Sequence, residues 1–105
     1  MASAQTQAAT APLIPARPVA GLASNAQPEY PELARRRREE GRVMVRVAVS
    51  ADGLPGDVTV ADSSGHPSLD QAAITAVRRW RFSPATQGGR PLPSIAEVPI
   101  RFHLE

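Results

Sequence analysis

The last stretch of the chain, residues 94–105, constrains the fold more than any other. Between Val98 and Leu104 every second residue is apolar, and the residues between them are charged, polar or proline. A period of two is typical of a β-strand with one buried face and one exposed face. Pro99 lies inside this strand and has no N–H to donate, so we expect an edge strand. Such an edge is either a liability or a docking surface for another strand.

The composition of the 105-residue chain excludes several classes of function. This length suits one small domain with a single two-layer core. Cysteine is absent, so disulfide bonds, thiol chemistry and a cysteine zinc site are excluded. No apolar run has membrane-spanning length, and the first residues lack the pattern of a signal peptide. Two alternatives follow: a soluble cytosolic protein, or a fragment of a longer, exported chain.

Residues 1–26 are predicted to be a disordered linker. They are rich in Ala, Pro, Ser, Thr and Gln. A segment of this composition buries too little apolar surface to offset the entropy lost on ordering. The folded domain is therefore expected over residues 27–105.

The first half of this domain is predicted to form a helix and a β-hairpin. Pro31 suits the first helical position and Gly41 suits the C′ position, which indicates a short helix of two to three turns. Valine alternates with other residues over 42–50, as in a half-buried strand. Asp52-Gly53 indicates a turn, after which residues 57–62 return as a second strand.

The second half is predicted to form a helix, a loop and the last strand. Pro67 and Ser68 open the helix, and Ser68 with Gln71 matches a capping box. Residues 87–91 are expected to be a loop. The core-facing stripe of this helix contains Leu69, Ala72, Ala73, Ala76, Val77 and Trp80.

This order of elements predicts an α+β fold. Two helices pack on one face of a three-stranded antiparallel sheet, in a split β-α-β arrangement. The second hairpin strand and the last strand would flank the first, giving the strand order 2-1-3. The predicted core contains Val45, Val47, Leu69, Ala73, Val77, Trp80, Phe82, Ile100 and Phe102.

The polar residues do not indicate an enzyme. His66 and His103 are the only histidines, and no catalytic motif or phosphate-binding loop is present. We therefore expect no catalytic residues, no cofactor and no metal site. The run Arg35–Arg38 allows an alternative, a nucleic-acid-binding domain. Four consecutive residues point around a helix, and Glu39 follows them, so a solvated helix face is the favoured interpretation.

Several motifs in a defined order resemble the C-terminal domain of TonB-family energy transducers. The resemblance covers about Gln27 to Leu104, and its most specific part is Trp-Arg-Phe-Ser-Pro-Ala at residues 80–85. The other matching segments are Tyr30-Pro31, Glu40-Gly41-Arg42-Val43, Asp52-Gly53, Ser63-Ser64-Gly65, Leu69-Asp70, Ala72-Ala73 and Val98-Pro99-Ile100-Arg101-Phe102.

This resemblance implies a periplasmic domain of a protein anchored in the inner membrane, with a proline-rich spacer before the domain. With partners of the ExbB and ExbD kind, such proteins deliver proton-motive-force energy to outer-membrane transporters for siderophores, haem or vitamin B12. The domain grips an extended transporter segment, the TonB box, by adding it to the sheet beside the last strand. The anchor would lie outside this sequence.

The resemblance also implies partner-binding residues at the start of the domain. Gln27, Pro28, Glu29 and Tyr30 match a family region that contacts the same transporter segment. Glu29 departs from the pattern, because an uncharged polar residue is expected there. Pro55 is a second departure and is expected to shorten the hairpin.

The residues themselves suggest how the last strand grips a partner. In a strand, the N–H and C=O of one residue point the same way, and the direction alternates along the chain. If Pro99 turns its missing donor outward, Ile95, Glu97, Arg101 and His103 share that direction. We expect these four to exchange main-chain hydrogen bonds with the transporter segment. The side chains of Glu97, Arg101 and His103 would then read its charges from the exposed face.

Two further alternatives use the same architecture. One is a TolA-like periplasmic domain that serves envelope integrity. The other is a homodimer formed by self-pairing of the exposed edge.

Overall fold

The structure is a computed structural model, and it describes residues 11–104. This part of the chain forms two α-helices, eight strands and a short 3-10 helix, Ala23–Asn25. The helices are α1 (Glu32–Arg36) and α2 (Pro67–Val77). The strands are β1 (Leu13–Ile14), β2 (Arg17–Pro18), β3 (Gly41–Val49), β4 (Pro55–Asp62), β5 (Phe82–Ser83), β6 (Ala85–Gln87), β7 (Arg90–Leu92) and β8 (Ser94–Phe102). Neither helix of this part has the length and hydropathy needed to span a lipid bilayer.

The largest sheet contains three antiparallel strands in the order β4-β3-β8. β3 and β8 pair over their full nine residues in unbroken register, from Gly41 opposite Phe102 to Val49 opposite Ser94. Both strands alternate buried and exposed residues, as the period-two pattern predicts. The fold is therefore α+β, but it has five short strands that the sequence analysis did not predict.

One face of this sheet and the two helices enclose the hydrophobic core. Every second residue of β3 is buried, and Leu69 on α2 is fully covered. Complete burial of a leucine side chain stabilises a fold by about 1.5–3 kcal/mol. Ala34 on α1 belongs to the same cluster, so both helices contribute to one core. The structure buries all nine residues predicted for the core: Val45, Val47, Leu69, Ala73, Val77, Trp80, Phe82, Ile100 and Phe102.

The two edge strands of the sheet differ in regularity. The register between β3 and β4 shifts between Met44 and Val45 and again between Val47 and Val49. At each shift β4 supplies one residue more than β3, so β4 is bulged twice. Bulges bend an edge strand and hinder pairing with another chain. β8 has no such shift against β3, which makes it the regular edge.

Helix α1 is shorter than predicted. It has five residues, and Pro31 is its N-cap rather than its first helical residue. The helix ends early because Arg38 takes a positive φ of 56° at the C′ position. The backbone N–H of Glu39 donates to the Ala34 carbonyl (2.9 Å) and that of Arg38 to the Arg35 carbonyl (3.1 Å). These two bonds form a Schellman motif, with arginine where glycine is usual.

Gly41, predicted at the C′ position, instead begins β3. A Cβ atom at this position would lie 2.9 Å from both the Cβ atom and the carbonyl oxygen of Ser64. Glycine is needed here because two segments of backbone approach closely, and helix termination has no part in it.

The predicted capping box of α2 is wrong. His66 is the N-cap, Pro67 follows at the first helical position, and no side chain caps the helix. Ser68 Oγ donates to Glu39 Oε1 (2.8 Å), and Gln71 Nε2 donates to Thr75 Oγ1 (3.3 Å). The motif fails because the helix begins at Pro67, two residues earlier than a Ser68 N-cap requires, which places Ser68 inside the first turn.

Residues 11–26 are not the unstructured linker that composition predicted. β1 pairs with β6, and β2 pairs with β5. Asn25 Nδ2 donates to the carbonyls of Val19 and Arg81 (both 2.8 Å), and Asn25 Oδ1 accepts from the Arg81 N–H (2.7 Å). Backbone and amide hydrogen bonds to the domain therefore order this arm without a core of its own. Residues 1–10 of the predicted linker lie outside the described residues.

The predicted loop at residues 87–91 is a tight hairpin. β6 and β7 pair with Gln87 opposite Arg90, which leaves a two-residue turn. Gly88 and Gly89 both have positive φ, 60° and 79°. Positive φ at both central positions is the geometry of a type I′ turn, for which glycine pairs are favoured.

Candidate strand-docking site

The outer edge of β8 is the most regular unpaired backbone in the described part of the molecule. Within residues 11–104, β8 pairs with β3 alone. Nine residues at about 3.3 Å each give an edge about 30 Å long. Its N–H and C=O groups follow the spacing that an added strand requires.

The hairpin between β3 and β4 shows which backbone groups of β3 face β8. The N–H of Ser50 donates to the Leu54 carbonyl (3.0 Å), so Ser50 faces β4. The direction in which the N–H and C=O groups point alternates from one residue to the next, and both bulges are on β4 and not on β3. The backbone groups of Val45 and Val47, each an odd number of residues from Ser50, therefore face β8.

The register with β3 then fixes the direction of the groups on β8. Val98 is opposite Val45 and bonds inward. The groups of Ile95, Glu97, Pro99 and Arg101 consequently point outward. Proline at an outward position costs the ladder no hydrogen bond, so the position of Pro99 agrees independently with this assignment.

The side chains of these outward residues lie on the face of the sheet opposite the core. Each is directly opposite a β3 residue: Ile95 to Ala48, Glu97 to Arg46, Pro99 to Met44 and Arg101 to Arg42. These are non-hydrogen-bonded pairs, in which side chains approach most closely.

The predicted edge residues have different surroundings on this face. Ile95 is 62% exposed, more than any other large apolar side chain of residues 11–104. Glu97 Oε2 accepts from Arg46 Nη2 (2.7 Å) and Nε (3.2 Å), so its charge is already paired. Arg101 is exposed beside Arg42.

His103 lies beyond the end of β8, which stops at Phe102. Its Nδ1 is 3.6 Å from Glu40 Oε2. The same oxygen accepts from the backbone N–H of Leu104 (2.7 Å). Glu40 therefore holds the chain end against the start of β3, and the side chain of His103 turns toward the domain.

Among the predicted residues before α1, Tyr30 contacts β8 directly. Its ring meets Phe102 edge to face, and its hydroxyl donates to the Glu39 carbonyl. Arg35 Cζ is 5.5 Å from the centroid of the Tyr30 ring. Burial and the carboxylate of Glu40 raise the pKa of the Tyr30 hydroxyl above its usual value of 10.0.

The other three residues of this segment are placed differently. Glu29 lines a cavity of about 630 Å³ together with Gln71 of α2 and with Arg79, which follows the end of that helix. Gln27 is exposed and Pro28 is half-buried. The structure therefore joins this segment to β8 through Tyr30, and Glu29 lies at a cavity that α2 also lines.

Sequence reasoning missed the residues of β3 that face the edge residues of β8. Arg42 and Arg46 were assigned only to a strand, yet each is directly opposite a predicted edge residue. Their parity in the strand was the available signal, but which residue they oppose depends on a register that one sequence does not specify.

Two other groups of polar side chains lie away from β8 in the described part. Between residues 11 and 104, no three His, Asp or Glu side chains are grouped as metal ligands. His66 Nδ1 is 3.6 Å from Glu39 Oε2, at the start of α2. In the arginine run, Arg36 forms an exposed ion pair with Glu32 (3.2 Å).

Comparisons with known proteins agree with the resemblance. The family model described as Gram-negative bacterial TonB protein C-terminal matches residues 26–104. Protein tonB2 of Pseudomonas aeruginosa is 50% identical over 85 residues, which cover 81% of this chain and 32% of that protein. Protein TonB of Vibrio cholerae is 39% identical over 84 residues, which cover 80% of this chain and 34% of that protein. The chain thus spans about a third of the length of these relatives.

A solved structure shares the fold. The solution NMR structure of the Pseudomonas aeruginosa TonB CTD matches with a TM-score of 0.66 and 30% identity, over 86% of this chain and 87% of that one. The family model and these relatives together show that this chain belongs to the family of Gram-negative bacterial TonB protein C-terminal domains.

Proposed function

We propose that this domain binds an outer-membrane TonB-dependent transporter by adding an extended transporter segment, the TonB box, as a strand beside β8. In this proposal the domain lies in the periplasm, as part of a longer protein anchored in the inner membrane. It transmits proton-motive-force energy for the uptake of siderophores, haem or vitamin B12. Motor proteins of the ExbB and ExbD kind would contact the membrane-anchored part.

The unbroken edge of β8 is the observation that carries this proposal. β8 keeps register with β3 over nine residues and has outward backbone groups at Ile95, Glu97 and Arg101. The opposite edge, β4, is bulged twice. Because the β8 edge is regular and the β4 edge is interrupted by bulges, strand addition is favoured at β8.

Backbone pairing also suits the transmission of force. Each hydrogen bond contributes a net free energy of about 1 kcal/mol. Pro99 has a carbonyl acceptor but no N–H donor, so the hydrogen bonds donated by β8 to an added strand lie on either side of it. Under a pull along the strand, several parallel bonds must break together. Affinity from backbone groups makes little demand on the partner's sequence.

The segment Gln27–Tyr30 is proposed as a second contact for the transporter segment. Tyr30 packs on Phe102 at the end of β8, which supports a position close to an added strand. Glu97 and His103 are proposed to contribute mainly through the backbone, because Arg46 and Glu40 already lie beside their side chains.

The family match favours this function over the alternatives. It identifies TonB C-terminal domains, which argues against a TolA-like role. The nucleic-acid alternative depends on Arg35–Arg38, where Arg36 pairs with Glu32 and Arg35 lies over the Tyr30 ring. The function proposed is therefore binding, without catalysis or a cofactor.

Amide NMR with a TonB-box peptide tests the proposal. We expect the largest shifts at Ile95, Glu97 and Arg101. Shifts confined to the β3–β4 hairpin or to Arg35–Arg38 would refute it. Glu97→Pro and Glu97→Gln form a matched pair, since both remove the carboxylate and only proline removes the outward N–H. We expect Glu97→Pro to bind the peptide more weakly than Glu97→Gln.

Self-pairing of β8 in a homodimer is a second candidate, because the same open edge would accept a second copy. Sedimentation at several concentrations separates the two uses of the edge. If the peptide dissociates a dimer, both occupants compete for β8.

A further inference from the structure

Two arginines meet on the open face of the sheet near the end of β8. Arg42 and Arg101 are directly opposite each other across β3 and β8, and both are exposed. Among residues 11–104, no carboxylate lies within ion-pair distance of either. The nearby Glu40 accepts from the N–H of Leu104 and lies beside His103. A cavity of about 380 Å³ opens between Glu40, Gly41, Arg42, Arg101, Phe102 and His103.

The next charged pair along the same face, Arg46 with Glu97, has the opposite charges that Arg42 and Arg101 lack. Arg46 and Glu97 occupy the same kind of non-hydrogen-bonded position and form an ion pair of 2.7 Å. Like charges directly opposite each other destabilise a sheet, and opposite charges stabilise it. The opposition of Arg42 and Arg101 is therefore unfavourable for the sheet, and a carboxylate from outside would offset the repulsion.

A strand added at β8 would bring its side chains to this position. Alternate residues of that strand would lie on the open face, beside Ile95, Glu97, Pro99 and Arg101. A residue opposite Arg101 would have its Cβ atom about 5 Å from that of Arg101. A carboxylate there lies within reach of the long side chains of both Arg101 and Arg42.

The opposite end of the edge has a different character. Ile95 is 62% exposed and adjoins an apolar surface that includes Ala48, Leu54 and Pro93. It lies six positions before Arg101 on the same face of β8. The two ends of the edge therefore favour different residues of a docked strand.

We propose that the strand bound at β8 carries an acidic residue opposite Arg101, held jointly by Arg101 and Arg42, and an apolar residue opposite Ile95. This inference rests on the proposed function, because it specifies the partner of the same edge. The acidic residue fixes the register of a strand that backbone hydrogen bonds alone would allow to slide.

A set of synthetic peptides tests this inference. The host is a blocked peptide of about ten residues that alternates Thr and Val. One Glu is moved along its Thr positions, Val replaces the Thr six residues before or after it so that the same face also carries an apolar residue, and each Glu peptide has a Gln counterpart. Dissociation constants come from amide shift titrations at low and high salt. We expect one Glu position to bind about three- to tenfold more tightly than its Gln counterpart, and salt to reduce the difference.

Protein variants distinguish a specific role of Arg42 and Arg101 from a nonspecific effect of the positive charge of the domain. In the double variant Arg42→Gln/Arg101→Gln the preference for Glu over Gln peptides should disappear. The control Arg37→Gln/Arg90→Gln removes the same charge from exposed positions outside β3 and β8 and should keep the preference. The thermal midpoint of the first variant should be unchanged or higher, because a like-charge contact has been removed.

Three results would overturn the inference. One is equal binding of Glu and Gln peptides at every position, with the uncharged host still bound at β8; strand docking then survives without acid recognition. Another is failure of every peptide to bind, which rejects the docking edge as well. The third is binding to phosphatidylglycerol vesicles that needs both arginines without any preference for Glu peptides, which assigns the pair to a membrane surface.

Discussion

The ring of Tyr30 meets the ring of Phe102 edge to face, with the ring centroids 5.4 Å apart and the ring planes at 87°. The Tyr30 hydroxyl donates to the carbonyl of Glu39. One side chain thus ties the segment before α1 both to the last residue of β8 and to the turn that leads into β3. The two contacts have separable energies, since one belongs to the ring and the other to the hydroxyl.

Tyr30→Phe keeps the ring and removes the hydroxyl, so we expect it to lower the free energy of unfolding by about 1 kcal/mol. Tyr30→Ala removes both contacts and should cost about 3 kcal/mol. Urea unfolding measures both values. Because the pKa of Tyr30 is raised, wild type should also lose stability relative to Tyr30→Phe as the pH rises above 10.0. Equal costs for the two variants would contradict the role of the ring.

The tip of the β3–β4 hairpin provides a second prediction. Gly53 has φ +81°, and its carbonyl accepts from the Phe82 N–H (2.8 Å). A Cβ atom on Gly53 would lie 2.1 Å from the Phe82 carbonyl oxygen. Gly53→Ala therefore combines backbone strain with a collision that only backbone movement relieves, and should cost about 3 kcal/mol or more.

Gly89→Ala is the matched control for this prediction. Gly89 has nearly the same φ, +79°, but nothing lies within 4 Å of an added Cβ atom. Its cost should be about 1 kcal/mol, from the strain alone. Thermal or urea unfolding of both variants measures the difference. Similar losses in the two variants would show that Gly53 is not in close contact with Phe82.

The sequence predicted the elements whose signals are local. The alternation of valines in β3 and of apolar residues in β8 needs no knowledge of the rest of the fold. Pro99 predicted the edge because a missing donor excludes a central strand. Arg38 shows the limit of such reasoning, since nothing local indicates that an arginine will take a positive φ while Gly41 is nearby.

Elements that depend on distant partners could not be predicted. The arm at residues 11–26 is ordered by contacts with Arg81 and with Trp80, whose Nε1 donates to the Ala26 carbonyl (3.0 Å). The composition of a segment indicates how much apolar surface it can bury by itself, but not which hydrogen bonds it makes to the rest of the domain. The same limit applies at the site, where the opposition of Arg42 and Arg101 depends on the register of two strands.

The order of the N-terminal arm gives a third prediction. The side chain of Asn25 makes hydrogen bonds to Val19 and Arg81. Asn25→Ala removes them, so the amides of β1 and β2 should exchange with solvent much faster while those of β3 stay protected. Hydrogen exchange followed by NMR measures this. Asn25→Asp keeps the acceptor for the Arg81 N–H and loses the amide donors, so it should be intermediate. Unchanged exchange in Asn25→Ala would show that the arm is held by other contacts.

Asp70 links the start of α2 to the loop before it and gives the domain a specific dependence on pH. Its carboxylate accepts hydrogen bonds from the Ser63 hydroxyl and from the N–H and hydroxyl of Ser64 (2.9 and 2.7 Å). Desolvation opposes ionisation, but these bonds and the nearby His66 outweigh it and hold the pKa of Asp70 below its usual value of 3.8. The folded state therefore favours the ionised carboxylate more than the unfolded chain does.

A group with a lowered pKa stabilises the fold at pH values above its ordinary pKa, and this contribution is lost as the pH falls through and below that value. Asp70→Asn should therefore lower the free energy of unfolding by about 1–3 kcal/mol near neutral pH. The difference from wild type should shrink below the ordinary pKa of 3.8, because wild type then loses its carboxylate too. Urea unfolding at several pH values measures this, with Asp57→Asn on the exposed side of β4 as the control. A constant difference between wild type and Asp70→Asn at every pH would show that Asp70 acts through its shape and not through its charge.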